Sequence, residues 1–351
     1  MTRTSRAVVF LGGGRWEFRE LPVPDDPPEG GAILRVEAVG MCHSDIDNLH
    51  GIVHTPWGGE FPTIPGHEIV GRIDRISPAA AESLGVAEGD RVAVRSGRIA
   101  DDNKTRIYGH DYSVDEGCGL YGGYADYMEL LPGSSVVALP GDPPGAEMTI
   151  WEPLSIAVGW AGLVSPGDTV AILGPGHLGL AALVAARANG AEKIVVTGTS
   201  SDGIRLEAAR RLGAELAIDV GIEDPIAAVK DFTAGQGVDV VIDAASGSTS
   251  TVVQAMEMVR RGGTVVIGGL KDRKPVEGFI SDWIPMRRIH ILAGTEGDHV
   301  QTAADLLWAG RVPTRDLLGD VFTLEQVGEA LAVLDRKIPG RDAIRVSMSL
   351  T

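Results

Sequence analysis

Apolar and polar residues alternate along Ala32–Val39 (AILRVEAV) and again along Ile69–Ile76 (IVGRIDRI). A period of two predicts strands with one buried face. Gly89–Val94 (GDRVAV) reads as a turn running into another strand. Pro22, Pro24, Pro27 and Pro28 mark a loop between strands. To about Pro153 the chain therefore predicts an antiparallel, barrel-like domain with irregular loops. The pattern then changes. Thr169–Leu173 (TVAIL) predicts a buried strand, and Leu180–Asn189 an Ala/Leu-rich helix ended by Gly190. Lys193–Thr197, Leu216–Asp219, Val238–Asp243, Thr264–Ile267 and Ile289–Leu292 predict five further strands. Helices over Ile204–Leu212, Pro225–Thr233 and Thr249–Arg261 fall between them. Strands alternating with helices make an α/β class with a doubly wound parallel sheet. From about Asp298 the alternation stops. Two helical pieces and a strand at Ala343–Met348 are expected to return to the first domain. The expected domains are thus 1–155, completed by 298–351, and 156–297.

Composition narrows the function classes. The 351 residues are 44% hydrophobic and 23% charged, which excludes a disordered or fibrous chain. A net charge of −17 repels phosphate backbones, so no nucleic-acid partner is expected. Two cysteines, Cys42 and Cys118, cannot build a disulfide framework. Met1–Phe10 lacks the apolar stretch of a signal peptide, and no apolar run approaches the ~18 residues that span a bilayer. A cytoplasmic chain without a membrane partner is expected.

Between the first α/β strand and its helix lies Gly174-Pro175-Gly176-His177-Leu178-Gly179, which fits G-x-G-x-x-G. Strand before, helix after and a second strand at the right distance make this a dinucleotide-binding loop. Gly174 allows the tight turn, Gly176 lets backbone approach a pyrophosphate, and Gly179 permits close helix–strand packing. At the tip of the second strand an acidic residue would hold the ribose of NAD. Here Gly198-Thr199-Ser200-Ser201 carries no carboxylate, and Asp202 reads as the cap of the next helix. Thr199, Ser200 and Arg205 instead suit a 2′-phosphate, so the choice between NAD and NADP leans to NADP.

Three fragments carry candidate metal ligands: Cys42-His43-Ser44-Asp45, Gly66-His67-Glu68 and Trp151-Glu152-Pro153. Catalytic Zn2+ takes three protein ligands from Cys, His and carboxylate. Cys42, His67 and Glu152, with Glu68 beside them, provide that set, although spacing alone does not.

Together with the glycine loop, and in this order, these fragments resemble the zinc-dependent medium-chain dehydrogenase/reductase family, in the pattern of its sorbitol, threonine and sugar dehydrogenase branch. The resemblance implies a GroES-like antiparallel β-barrel catalytic domain and a Rossmann domain, with the active site in the cleft between them. It implies Cys42, His67 and Glu152 as zinc ligands, with Glu68 able to coordinate directly or in exchange with water. Asp45 matches the acid that orients the ligand histidine, Ser44 the hydroxyl that passes on the substrate proton, and His43 a position near the cofactor phosphates. Many relatives bind a second, structural zinc through four cysteines. The corresponding stretch Arg95–Cys118 holds only Cys118, so one catalytic zinc and no structural zinc is expected. The relay histidine five residues after the ligand cysteine is Asp47 here, which leaves Asp47, His50 or water to complete the relay. Trp57, Arg95 and Ser96 are candidate pocket residues favouring a polar or cyclic secondary alcohol. The resemblance further implies a homodimer or homotetramer, with Ile289–Leu292 and Thr264–Gly269 as candidate interface strands. A zinc-free quinone or enoyl reductase of the same fold and a non-catalytic nucleotide-binding protein are the alternatives.

Overall fold

The computed structural model describes residues 3–52, 59–99, 104–294 and 299–351. In chain order the elements are β1 (Thr4–Gly12), β2 (Arg15–Pro22), β3 (Ala32–Met41), α1 (His43–His50), β4 (Glu68–Ile76), α2 (Pro78–Leu84), β5 (Arg91–Arg95), β6 (Gly97–Ile99), β7 (Thr105–Ile107), β8 (Tyr127–Leu130), β9 (Ser135–Ala138), α3 (Gly145–Met148) and α4 (Trp151–Trp160). Then follow β10 (Thr169–Leu173), α5 (His177–Ala188), β11 (Lys193–Gly198), α6 (Gly203–Arg211), β12 (Leu216–Asp219), α7 (Pro225–Phe232), β13 (Val238–Asp243), α8 (Ser250–Met258), β14 (Val259–Ile267), α9 (Trp283–Arg287) and β15 (His290–Ala293). The chain closes with α10 (Val300–Trp308), α11 (Thr314–Leu317), β16 (Asp320–Phe322), α12 (Val327–Leu334) and β17 (Val346–Ser349).

Two compact units result, one of residues 1–151 with 318–351, the other of 152–317. In the first, β3 organises a seven-stranded sheet. One edge of β3 pairs antiparallel with β4. The other pairs with β8 along Ala32–Arg35 and with β17 along Ala38–Met41. A strand shared in this way bends. Register shifts after Ile33 and after Val36 absorb the bend. All pairs are antiparallel except β16–β17. The core inside is aliphatic, with Phe10, Tyr108, Tyr112 and Tyr124 buried among Ile33, Leu34, Ile64 and Ile69.

The second unit is a six-stranded parallel sheet in the order β12-β11-β10-β13-β14-β15. Val170–Leu173 of β10 and Val240–Asp243 of β13 run in register at its centre and are buried on both faces. That explains the apolar runs Val170–Leu173 and Val240–Ile242.

The structure corrects three expectations. The helix expected over Thr249–Arg261 ends at Met258, because Val259 turns into β14 and pairs with Val238. α5 begins at His177, directly on the glycine loop, rather than at Leu180. The segment expected to return to the first domain from 298 does so only from 318. α10 buries Ala303, Ala304 and Leu307, and α11 packs against α5 and α6, so both belong to the second unit. Asp298 itself and Trp57 lie outside the described residues. Among the described residues no helix is long and apolar enough to cross a membrane.

Candidate functional site

In the first unit, three candidate ligands sit where strands end. Cys42 follows the last residue of β3 and caps α1, whose capping box pairs it with Asp45. Its backbone N–H donates to Asp45 Oδ2 at 2.9 Å. His67 immediately precedes β4, and Glu68 is that strand's first residue, opposite Gly40 of β3. A side chain at Gly40 would collide with Glu68 Oε2 and Arg345 Nη2, so only glycine lets this buried pair cross the sheet.

Asp45, Glu68 and His67 are all buried. Asp45 Oδ2 accepts a second hydrogen bond from the Tyr124 hydroxyl at 3.0 Å. Its Oδ1 stands 3.6 Å from His67 Nδ1 and has no hydrogen-bond partner. Glu68 Oε2 accepts from Arg345, whose guanidinium also reaches the Thr149 carbonyl at 2.8 Å. Glu68 Oε1 has no hydrogen-bond partner. Burial works against a charged His67, but Asp45 and the Cys42 thiol outweigh it and raise the imidazole well above its ordinary range. Burial also raises the Asp45 carboxyl, and His67, His110 and the Cys42 N–H more than offset it, leaving Asp45 low. Burial and the Asp45 charge push the Tyr124 phenol well up. A thiol, an imidazole and a carboxylate brought to one place, with a buried Glu68 oxygen that has no hydrogen-bond partner, make a donor set that lacks a cation. These residues fit a borderline-soft divalent metal such as zinc.

α1 also carries His43, Ser44, Asp47 and His50. Ser44 and Asp47 are half-buried, and His43 and His50 are exposed. Glu152 begins the second unit, in the first turn of α4. It directly follows Trp151, whose indole N–H donates to the Ile69 carbonyl of β4 at 3.2 Å. Arg95 ends β5 and Ser96 follows it, both half-buried. Cys118 is a half-buried thiol that burial pushes up to about 12, so it stays protonated and inert. Sequence patterning missed His110, Tyr124 and Arg345. The local signals are the neighbouring glycines of Gly109-His110 and Gly122-Gly123-Tyr124, and Arg345 has none.

In the second unit the glycine loop joins β10 to α5. Gly174 has φ +98°, a conformation that favours glycine. A Cβ on Gly179 would strike the Gly174 carbonyl, so α5 starts tight against the strand. A Cβ on Gly176, the N-cap of α5, would meet nothing within 4 Å. Open space beside free helix N–H groups is a cradle for an anion. His177 and Leu178 open α5, both half-buried. At the tip of β11, Thr199 and Ser200 are exposed. Asp202 caps back onto the Thr199 N–H at 2.9 Å and pairs with Arg205 at 3.2 Å, while Ser200 donates to Asp219 at 2.9 Å.

The chain matches two family models. Residues 28–141 match "Alcohol dehydrogenase GroES-like domain" and residues 178–308 match "Zinc-binding dehydrogenase". It is 36% identical to a protein of Mycobacterium tuberculosis described as "Probable alcohol dehydrogenase adh", over 94% of each chain. It is 31% identical to the sorbitol dehydrogenase of Bacillus subtilis, over 93% of this chain and 92% of that one. The crystal structure of an alcohol dehydrogenase from Thermotoga maritima superposes with a TM-score of 0.87 at 21% identity, covering 99% of this chain and 100% of that one, and shares the fold.

Proposed function

The chain belongs to the zinc-type medium-chain dehydrogenase/reductase family, and from that premise we propose that it is an NAD(P)-dependent alcohol dehydrogenase acting on a secondary alcohol that is polar or cyclic. The donor set of half-buried Cys42 with buried His67 and Glu68, and its orphaned carboxylate oxygen, carries this reading. A zinc-free reductase has no use for that set.

Cys42, His67 and Glu68 would hold the zinc from the first unit, with Glu152 as the further carboxylate. Bound zinc supplies Lewis-acid polarisation of the substrate oxygen, which favours loss of the alcohol proton. The nicotinamide supplies the hydride acceptor. Asp45 and Tyr124 fix the Cys42 end of α1. Ser44 takes the proton from the alcohol oxygen, and its neighbours one and two turns on, Asp47 and then the exposed His50, lead it to solvent. The Gly174–Gly179 loop holds the pyrophosphate at the start of α5, and His43 contributes near the phosphates. Arg205 with the Thr199 and Ser200 hydroxyls favours NADP, because Gly198 offers no carboxylate to the ribose. Relatives named alcohol and sorbitol dehydrogenase, and Arg95 at the end of β5, support a hydroxylated substrate. The single catalytic zinc follows from the cysteine-free lobe between β6 and Cys118. A homodimer or homotetramer would form through β15, which among the described strands pairs only with β14 and exposes Leu292. Turnover of a panel of polyols and cyclic alcohols with NADP and NAD tests the assignment. Activity should appear on secondary alcohols and vanish in Cys42→Ala, and a fully active Cys42→Ala would remove Cys42 from the site.

A further inference from the structure

Two neighbouring strands of the parallel sheet end in segments that are tied together beside the glycine loop. β13 ends at Asp243, and β14 runs out through Gly268-Gly269-Leu270-Lys271. In the order β12-β11-β10-β13-β14-β15 the winding reverses between β10 and β13. A dinucleotide lies in the crevice outside the carboxyl ends at such a point. β10 offers the pyrophosphate loop and β11 the ribose of the adenine half. The nicotinamide half is then left to the ends of β13 and β14.

Asp243 is wholly buried there, and the Lys271 side chain is 11% exposed. The Lys271 ammonium donates to Asp243 Oδ1 and to the Thr251 hydroxyl, each at 3.0 Å, and to the Ala245 carbonyl. Its three hydrogens are thereby all used. Asp243 Oδ1 also accepts the Ala245 N–H at 3.2 Å, and the Gly247 N–H donates to the Leu270 carbonyl at 2.7 Å. The strap Ala244–Ser248 is thus fastened to Asp243 on one side and to Leu270-Lys271 on the other. It lies against the glycine loop. A Cβ on Gly174 would come within 3.0 Å of the Ala245 backbone, and the Ala244 N–H donates to the Leu173 carbonyl at 2.9 Å. Beyond Lys271 the chain turns through Asp272 and Arg273, both left-handed at φ +52° and +57°. Successive non-glycine residues keep that conformation only where their surroundings fix them, and Lys271 is the anchor.

A buried ion pair adds little stability over apolar residues of the same volume, so stability alone does not account for this one. We infer that Lys271, held by Asp243, is a positioning residue for the nicotinamide half of the cofactor. It fixes the Ala244–Ser248 strap beside Gly174, so the cofactor meets a preformed surface and no loop has to order on binding.

The inference rests on the reading of the chain as NAD(P)-dependent, and the test separates the two. Affinities of the full chain for NADPH and NADH are compared with those for ADP-ribose and its 2′-phosphate, which keep the adenine half and pyrophosphate but lack nicotinamide. Lys271→Met removes the ammonium. Thr251→Val keeps the shape and removes one of its three acceptors, and it decides alone if Lys271→Met does not fold. Lys271→Met should weaken the dinucleotide that wild type binds by about 10-fold, the worth of one hydrogen bond. Thr251→Val should weaken it less, and both variants should bind the nicotinamide-free nucleotides as wild type does. A selective loss in either variant supports the role of Lys271. Its absence from every folded variant, whether through equal losses or through none, overturns that role. A wild type that binds none of the four nucleotides overturns the NAD(P) reading itself.

Discussion

Arg345, next to the strand that ends the chain, pairs with Glu68 at the start of β4 in the interior of the first unit, with both side chains almost wholly buried. One Glu68 oxygen is thereby neutralised while the other is left free. The pair crosses the sheet where Gly40 leaves room. It makes the C-terminal strand part of the candidate metal site, although the two residues lie 277 positions apart.

Arg345→Met should therefore destabilise the zinc-free protein by about 3–5 kcal/mol, the cost of leaving a buried charge uncompensated. Urea unfolding measures it. Adding Glu68→Gln should recover part of the loss. A single mutant as stable as wild type would show that Glu68 is not held by Arg345.

Gly40→Ala places a methyl where Glu68 and Arg345 meet. Overpacking of this kind costs about 1–3 kcal/mol, and the displaced carboxylate should also lower zinc occupancy. Elemental analysis alongside a melting curve separates the two effects. Normal occupancy with a lowered Tm would confine the role of Gly40 to packing.

In the cysteine-free lobe, burial raises the Glu116 carboxyl, but Arg106 and the Ser113 N–H more than offset it and leave it below the usual carboxylate range. A depressed folded pKa means stability that is present above the unfolded value, about 4.3, and lost as pH falls through the folded one. The pair is partly exposed, so its worth is about 0.2–1 kcal/mol. Wild type should exceed Glu116→Gln in stability at pH 7, and the two should converge in acid. A gap that widens on acidification would reverse the sign assigned to Glu116.

Cofactor choice is better probed at Arg205 than at Gly198. A Cβ on Gly198 would lie 2.7 Å from Pro175 and 3.2 Å from Leu206, so Gly198→Asp perturbs packing before it perturbs recognition. A hydrogen bond to a charged group is worth about 1.5–3 kcal/mol. Arg205→Ala should then lower kcat/KM for NADPH about 10–100-fold and spare NADH. Equal losses with both cofactors would remove the preference for NADP.

Asp47→Asn keeps shape and removes a proton acceptor. If Asp47 relays the Ser44 proton, the pH–rate profile of alcohol oxidation should change in this variant. An unchanged profile would leave the route to His50 or water.

How much of this was legible in the sequence follows from separation along the chain. The β10–glycine loop–α5 unit is local, and its apolar run and glycine spacing are visible within a dozen residues. The Cys42–Asp45 cap is local too. The start of β14 was hidden, because Val259 and Val238 make a strand pair that no periodicity announces. The partners of the site residues were also hidden: Tyr124 reaches Asp45 across 79 residues and His110 reaches His67 across 43. Sequence motifs marked the candidate ligands, and only the fold brought in the side chains that hold them.

The central claim is a donor set built for one metal ion. Zinc per chain, measured by elemental analysis on protein purified without added metal, tests it most directly. About one zinc is the result expected, lost in Cys42→Ala. Two would place a second metal in the Arg95–Cys118 lobe. None, in a chain that still oxidises alcohols with NADP, would contradict the account and return the zinc-free reductase as the better reading.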